Sequence, residues 1–290
     1  FSFNIKDYDL ADLVEAIAEN LELLKVHLPY HESAHVLNIA YNAVMDGDCL
    51  EDIELRRNDE VFLNALGAQR IPDPTTAGDF CRRFAEEDVE TLMRVINETR
   101  LKVWGKQPKE FFKEAIIEGD GTIAATTGSC KEGMDISYNG IWGYHPLVIS
   151  LANTAEPLFL VNRSGNRPSQ EGAAVRFDQA EDLCRRAGFQ KIKMRGDTDF
   201  SQTRYLDRWD EQGIKFIFGF DVVRPLVDRA ENLPKSAWER LVRPPKYERK
   251  TEPRVLRCMP QCEAGCRMIG KDSMLAIGDA LAVAVSELMG

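Results

Sequence analysis

Two short segments carry acidic residues where a strand would end. Asp120 closes EAIIEGD and is followed by Gly121 and Thr122; Asp197 and Asp199 stand one residue apart in KMRGDTDF. Carboxylates are poor strand residues, so each needs a reason. One reason is local. Gly-Asp-Gly is good turn chemistry, and an aspartate ahead of a helix caps it. The other is that Asp120 and Asp197 converge. Two carboxylates brought together repel unless a cation neutralises them, and hard cations take oxygen ligands. Two Mg2+ ions about 3.5–4 Å apart can activate an attacking water or hydroxyl and stabilise the leaving oxygen of a phosphodiester. Asp120 and Asp197 therefore read as a metal-binding, catalytic pair, with Mg2+ or Mn2+ as the cofactor. Asp199 fits better as the N-cap of the helix that follows.

Convergence depends on the strands. EAIIEGD, HPLVISLAN, EPLFLVNR, KIKMRGD and KFIFGFDV are short runs rich in Ile, Val, Leu and Phe, bounded by Gly, Pro and Asn. Helical stretches run from about Val175 to Ala187 and from Ser201 to Gln212. The order is three strands, a helix, a strand, a helix, a strand. Three strands close in sequence predict an antiparallel meander, and the later alternation predicts parallel additions with crossover helices. This is the order of a ribonuclease H-like α/β core, a mixed sheet with flanking helices. Its first and fourth strands are neighbours, which brings Asp120 and Asp197 to one edge of the sheet.

The first hundred residues are different. Leu10, Leu13, Val14, Ile17, Leu21 and Leu24 recur at helical spacing to about Leu28. HESAHVLNIAYNAVMDG predicts a helix with Ser33 as N-cap and Gly47 as stop. Shorter helices are expected over Leu50–Arg57 and Asp59–Leu66, one opening at Pro74, and a last from about Asp88 to Trp104. The expected organisation is a helical domain over residues 1–106, a core over 107–232, and a basic segment with an atypical tail over 233–290.

Composition sets wider bounds. With 44% hydrophobic and 29% charged residues, the chain is ordinary globular material. No apolar run approaches the roughly 18–20 residues of a membrane span, so no membrane partner is expected. The net charge of −10 speaks weakly against a nucleic-acid partner, but clustering matters more. Lys235, Arg240, Arg243, Lys246, Arg249, Lys250, Arg254 and Arg257 concentrate positive charge late in the chain. Cys49, Cys81, Cys130 and Cys184 read as buried free thiols. Cys258, Cys262 and Cys266 are spaced by four, which is not the usual zinc spacing. The chain opens with Phe1 and is expected to be a fragment of a longer product.

Several segments together resemble the DDE transposases of bacterial insertion sequences, and among them insertion-sequence family 1380. These are YHESAHVLNIAYNAVMDGDCLEDIE, RIPDPTTAGDFCRRF, the DGT at Asp120–Thr122, NGIWGYHPLVISLAN, NRSGNRPSQEG and MRGDTDF. The resemblance spans roughly Leu28 to Arg254. It implies metal-dependent hydrolysis at transposon ends, then joining of the freed 3′-hydroxyls to target DNA. It implies double-stranded DNA as partner (inverted-repeat ends and target), a homodimer on DNA, and a bacterial cytoplasm, nucleoid-associated. The family's first two acids match Asp120 and Asp197. Its third is a glutamate on a helix after a β-rich insertion; Glu239, Glu248 and Glu252 lie too close to the fifth strand, and the surroundings of Glu287 do not resemble the family. The third acid is expected to be missing, by truncation with a frameshift near Val255.

Arg163, Arg167, Lys193, Arg195, Lys246, Arg249 and Lys250 are the expected DNA-binding cations, placed near strand ends or in the basic segment. His145 reads as structural. Trp142 can stack on a base, but its large ring is expected to be buried in the core. Two other readings stand beside this one. A catalytically dead remnant would still bind DNA. A haloacid dehalogenase-type phosphatase would place its nucleophilic aspartate where this chain has Glu118.

Overall fold

A computed structural model describes residues 10–25, 29–66, 68–127, 131–219, 223–238, 240–242 and 255–257. The chain divides into two compact units, Phe1–Phe111 and Phe112–Gly290. Among the described residues, no helix is long and apolar enough to cross a membrane.

The first unit is helical. It contains α1 (Leu10–Asn20), α2 (Glu32–Val44), α3 (Ile53–Arg57), α4 (Glu60–Leu66), α5 (Pro74–Cys81) and α6 (Glu86–Trp104). Ile17, Leu21 and Val95 form one buried cluster; Ile53, Ile71 and Ala77 form another. Helix α1 stops at Asn20, short of the expected Leu28. The buried carboxylate of Glu32 accepts from the Leu23 and Leu24 amides at 3.1 and 2.9 Å, which holds that backbone out of the helix. The cap of α2 is likewise not Ser33: His31 takes the N-cap position and Ser33 is buried inside the first turn. Helix α5 is capped by Asp73, whose Oδ1 accepts from Thr76 N at 2.9 Å, with Pro74 opening the first turn. Cys49 and Cys81 are exposed free thiols rather than buried ones; Cys184 is buried as expected. Cys130 and the Cys258–Cys266 group lie outside the described residues.

Buried polar groups tie the loops of this unit together. Asn38 Nδ2 donates to Pro72 O at 3.2 Å and Asn42 Nδ2 to Cys49 O at 2.9 Å. The His35 ring stacks on Phe80, centroids 4.5 Å apart and 12° from parallel. Burial lowers the His35 pKa below 6.5, against the opposing pull of Glu32.

The second unit is built on a five-stranded sheet. Strands β1 (Ala115–Gly121), β5 (Leu147–Leu151), β6 (Glu156–Val161), β7 (Ile192–Gly196) and β8 (Lys215–Phe218) lie in the order β6-β5-β1-β7-β8. The β6-β5-β1 pairings are antiparallel and the β1-β7-β8 pairings parallel, so meander and crossover additions take the places their order predicts. Helix α7 (Ala173–Ala187) covers one face, closed by Gly188 at φ 101°. Its Phe177 meets Phe200, Trp209 and Phe218 edge-on at 5.7–6.1 Å. Trp209 lies on α8 (Thr203–Glu211), and its Nε1 donates to Asp178 Oδ1 at 2.8 Å. Beyond β8 come α9 (Arg224–Glu231) and a two-stranded ribbon, β9 (Arg240–Val242) against β10 (Val255–Arg257).

Two irregular parts flank β1. A small sheet, β2 (Ala124–Ala125), β4 (Trp142–Tyr144) and β3 (Asp135–Ile136), has the order β2-β4-β3. The loop from Arg163 to Gly172 is wound around one guanidinium. Arg163 Nε donates to His145 O at 3.0 Å, and its Nη1 to the carbonyls of Pro168, Ser169 and Glu171 at 3.1, 3.0 and 2.7 Å. Burial lowers the Arg163 pKa, opposed by Glu171, but an arginine remains charged throughout the working range. His145 is buried, and its Nδ1 lies 2.7 Å from Arg167 O, donating because a carbonyl only accepts.

Two outcomes follow from these polar cores. Because the folded-state pKa of His35 lies below its unfolded value, its contribution is complete above about pH 6.5 and is lost as pH falls through the folded value. The urea midpoint is therefore expected to drop between pH 7.5 and pH 5.5, and His35→Phe, which keeps a stacked ring, to flatten that drop. Replacing Arg163 by Met leaves three or four loop carbonyls without their donor. We expect a loss of about 1–3 kcal/mol in urea denaturation and faster cleavage after Glu171 by a glutamate-specific protease.

Candidate active site

The parallel register of β1 and β7 determines what faces what. Ile116 lies opposite Lys193, Ile117 opposite Met194, and Glu118 opposite Arg195. Side chains alternate along a strand, and directly paired residues share a face. Ala115, Ile117 and Gly119 face α7; a Cβ at Gly119 would lie 2.6 Å from Phe177 Cζ. Ile116, Glu118 and Asp120 therefore face the other way. Two residues beyond that pair come Asp120, still within β1, and Asp197, the residue directly after β7. Both are exposed.

That face carries a ladder of charge. Lys193 Nζ pairs with Glu114 Oε2 at 3.1 Å. Arg195 binds Glu118 through two contacts, Nε to Oε1 and Nη2 to Oε2, each 3.0 Å. Beyond that ion pair each strand leads on to an aspartate, Asp120 and Asp197.

Asp197 also has a local role. Its Oδ1 accepts from Asp199 N at 3.0 Å and caps the 3-10 turn Thr198–Phe200. Capping therefore belongs to Asp197, not to Asp199, and α8 begins later, after Gln202. The 3-10 turn is the physical reason: it lies within the six residues, 197–202, that separate strand from helix and that the periodicity does not reveal. An ionised carboxylate offers about four lone-pair sites, so the cap leaves Asp197 able to ligate a cation. Among the described residues, no group of three or more His, Cys, Asp or Glu side chains is arranged to hold a metal ion. The acidic set on this face is a pair.

The cations expected around the carboxylates divide by environment. Lys193 is buried on Glu114, and Arg163 is built into its loop. Neither is a free strand-end charge. Arg195 is shared with Glu118, and Arg167 is the most open of the four, 55% exposed and paired with Glu171 at 3.1 Å. Lys246, Arg249 and Lys250 lie outside the described residues. Glu118, the position a phosphatase nucleophile would need, is held by Arg195 instead.

Close packing brings the Arg163 loop to the site. A Cβ on Gly121, next to Asp120, would lie 2.7 Å from His145 Nε2 and 3.2 Å from Ser169, so this position needs glycine for contact and not for backbone conformation. On the other side, Gln202 Nε2 donates to Gln170 O at 2.6 Å. The loop is thereby tied to the segments that follow both aspartates. Sequence reasoning found Arg163 and His145 but not their partnership; the glycine after Asp120 was the available signal.

Trp142 departs from expectation. It is 54% exposed, on the strand pair β3–β4, while Trp104, Trp209 and Trp238 are all buried. A three-residue strand in a small sheet has no second layer to cover it.

No curated protein matches the chain. A cryo-EM structure of a piggyBac transposase synaptic complex with hairpin DNA is similar at 11% identity and a TM-score of 0.42, over 83% of this chain and 57% of that one. The chain thus spans little more than half the length of that transposase. The family model for the transposase DDE domain, group 1, matches residues 12–255. With most of its length inside that match, the chain belongs to the DDE transposase domain family.

Proposed function

We propose that this chain supplies the helical unit and catalytic core of a transposase of the insertion-sequence 1380 type. It would cleave the phosphodiester at inverted-repeat transposon ends and join the freed 3′-hydroxyls to target DNA. The observation that supports the reading is the Glu118–Arg195 ion pair across β1 and β7, from which we infer that the same register carries Asp120 and Asp197, two residues further on, to one acidic rung. Two carboxylates at one rung suit a hard divalent cation such as Mg2+ or Mn2+. When bound, the cation would supply charge neutralisation at the attacking and leaving oxygens. Asp120 and Asp197 would hold it, and the Asp199 amide would keep the Asp197 carboxylate in place. Arg167 and Arg195, with Lys246, Arg249 and Lys250 of the basic segment, would meet phosphates. The helical unit would read the ends or pair two copies on DNA, in a bacterial cytoplasm at the nucleoid. A glutamate completing the acidic set is the remaining requirement of the family's chemistry.

Two measurements test this reading. With Mn2+ at about ten times Kd, the melting temperature should rise by about 2–5 °C. Asp120→Asn and Asp197→Asn should each remove that rise, while not lowering the metal-free melting temperature through lost repulsion. On duplex DNA bearing the element's inverted repeats, Mg2+- or Mn2+-dependent strand cleavage by this chain, abolished in either variant, would establish the catalytic pair and show that the chain does contain a third acid. Binding without cleavage, with or without metal, would favour a DNA-binding remnant instead.

A further inference from the structure

The small sheet β2-β4-β3 presents apolar side chains to solvent that no described element covers. Trp142 and Ile136 are cross-strand partners on one face, 54% and 46% exposed. Tyr138 and Ile141 flank the connecting turn at 88% and 39%. Large exposed aromatics this close together mark interaction sites more often than chance.

The tip holding them is ordered by its own bonds. Buried Ser137 donates through Oγ to Ile141 O at 2.8 Å and accepts from Ile141 N at 3.0 Å. Gly140 N closes the turn onto Ser137 O at 2.9 Å. Tyr144 Oη donates to Glu132 O at 2.7 Å. Aromatic rings held on a rigid ribbon lose little entropy when they bind.

The hairpin is also fastened to the acidic rung. Asn166 Nδ2 donates to Asp135 Oδ2 at 2.6 Å, and Ser164 bridges to Tyr144. A Cβ on Gly165 would lie 2.3 Å from Asp135 O and 2.7 Å from Gly143 O. These residues belong to the Arg163 loop, which packs on Gly121 beside Asp120. Trp142 is therefore coupled to Asp120 through one continuous contact path.

Neighbouring chemistry selects the occupant. Thr126 N donates to Trp142 O at 3.1 Å, and the exposed Lys131 ammonium bonds to Thr126 Oγ1. An ammonium thus lies one strand away from Trp142, and the neighbouring Ala124 and Ala125 of β2 are small and exposed. A flat ring with a cation alongside matches a nucleobase and its phosphate. A second copy of the chain fits less well: four exposed apolar side chains fall far short of the roughly 20–30 residues per side of a stable interface.

We propose that Trp142 and Tyr138 form a stacking platform for unpaired DNA bases next to the cleavage site, with Lys131 holding the adjoining phosphate. The proposal rests on the transposase reading and adds to it a site for single-stranded or splayed nucleotides.

Trp142 provides its own reporter, since the other three tryptophans are buried. The full chain would be titrated with a labelled single-stranded oligonucleotide and with the same sequence as blunt duplex, following tryptophan emission and label anisotropy together. Expected is quenching of the acrylamide-accessible emission by the single strand. Trp142→Ala and Tyr138→Ala should each weaken single-strand binding about 5- to 150-fold and leave duplex binding and melting temperature unchanged. Trp142→Phe, which keeps a ring, should retain most of the affinity. Binding without quenching, or equal weakening of single strand and duplex, overturns the platform but leaves the transposase reading intact. A change of sedimentation in Trp142→Ala with no effect on DNA assigns the patch to self-association and overturns it as well. If neither DNA binds, the transposase reading falls with it.

Discussion

A constant offset of 77 residues between β1 and β7 underlies this molecule. Parallel pairing makes the offset fix both neighbour and face for every residue along the two strands. Glu118 meets Arg195 because of it. The ion pair is partly exposed, so its direct contribution to stability is modest. Its larger effect is on specificity of pairing: a slip of one residue would place Glu118 opposite Met194 or Gly196 and turn a row of charges toward the Phe177–Trp209–Phe218 cluster. The acidic pair proposed for Asp120 and Asp197 would be held by this favourable pairing beneath it.

The rest of the second unit supports that arrangement from outside. Helix α7 presses Phe177 into the space where a Cβ on Gly119 would lie, which leaves the aspartate at 120 only one face to occupy. The Arg163 loop closes over the end of β1 through His145 and reaches the Asp197 side through Gln170 and Gln202. A single buried guanidinium serving several carbonyls is an economical way to order a segment without regular structure. Each of its bonds satisfies a backbone group that a helix or sheet would otherwise have to satisfy.

The sheet was legible in the sequence because its strands are short, apolar and bounded by Gly, Pro and Asn, and because their order with two helices admits few topologies. The expected convergence of Asp120 and Asp197 rests on that order. What stayed hidden was determined by single contacts. Nothing in the spacing of Leu21 and Leu24 reveals that Glu32 takes the Leu23 and Leu24 amides and ends α1 at Asn20. Asp197 and Asp199 are equivalent caps on paper, and only the 3-10 turn between strand and helix chooses Asp197. Lys193 and Arg163 read as DNA-binding cations because a sequence does not show a buried partner such as Glu114 or a ring of loop carbonyls. Trp142 was expected in the core on size alone, whereas its three-residue strand belongs to a small sheet that leaves its ring 54% exposed among the described residues.

The pairing of β1 and β7 also bears on how a gene for this chain can change. Side-chain direction along a strand has a period of two. Loss or gain of one codon between Ala115 and Asp120 would turn Asp120 inward onto the aromatic cluster, whereas a change of two would return it to the same face. Heredity of the site is thus a matter of parity: the reading frame can be intact and the strand still extended, and the acidic pair is kept or lost according to whether the count is even or odd.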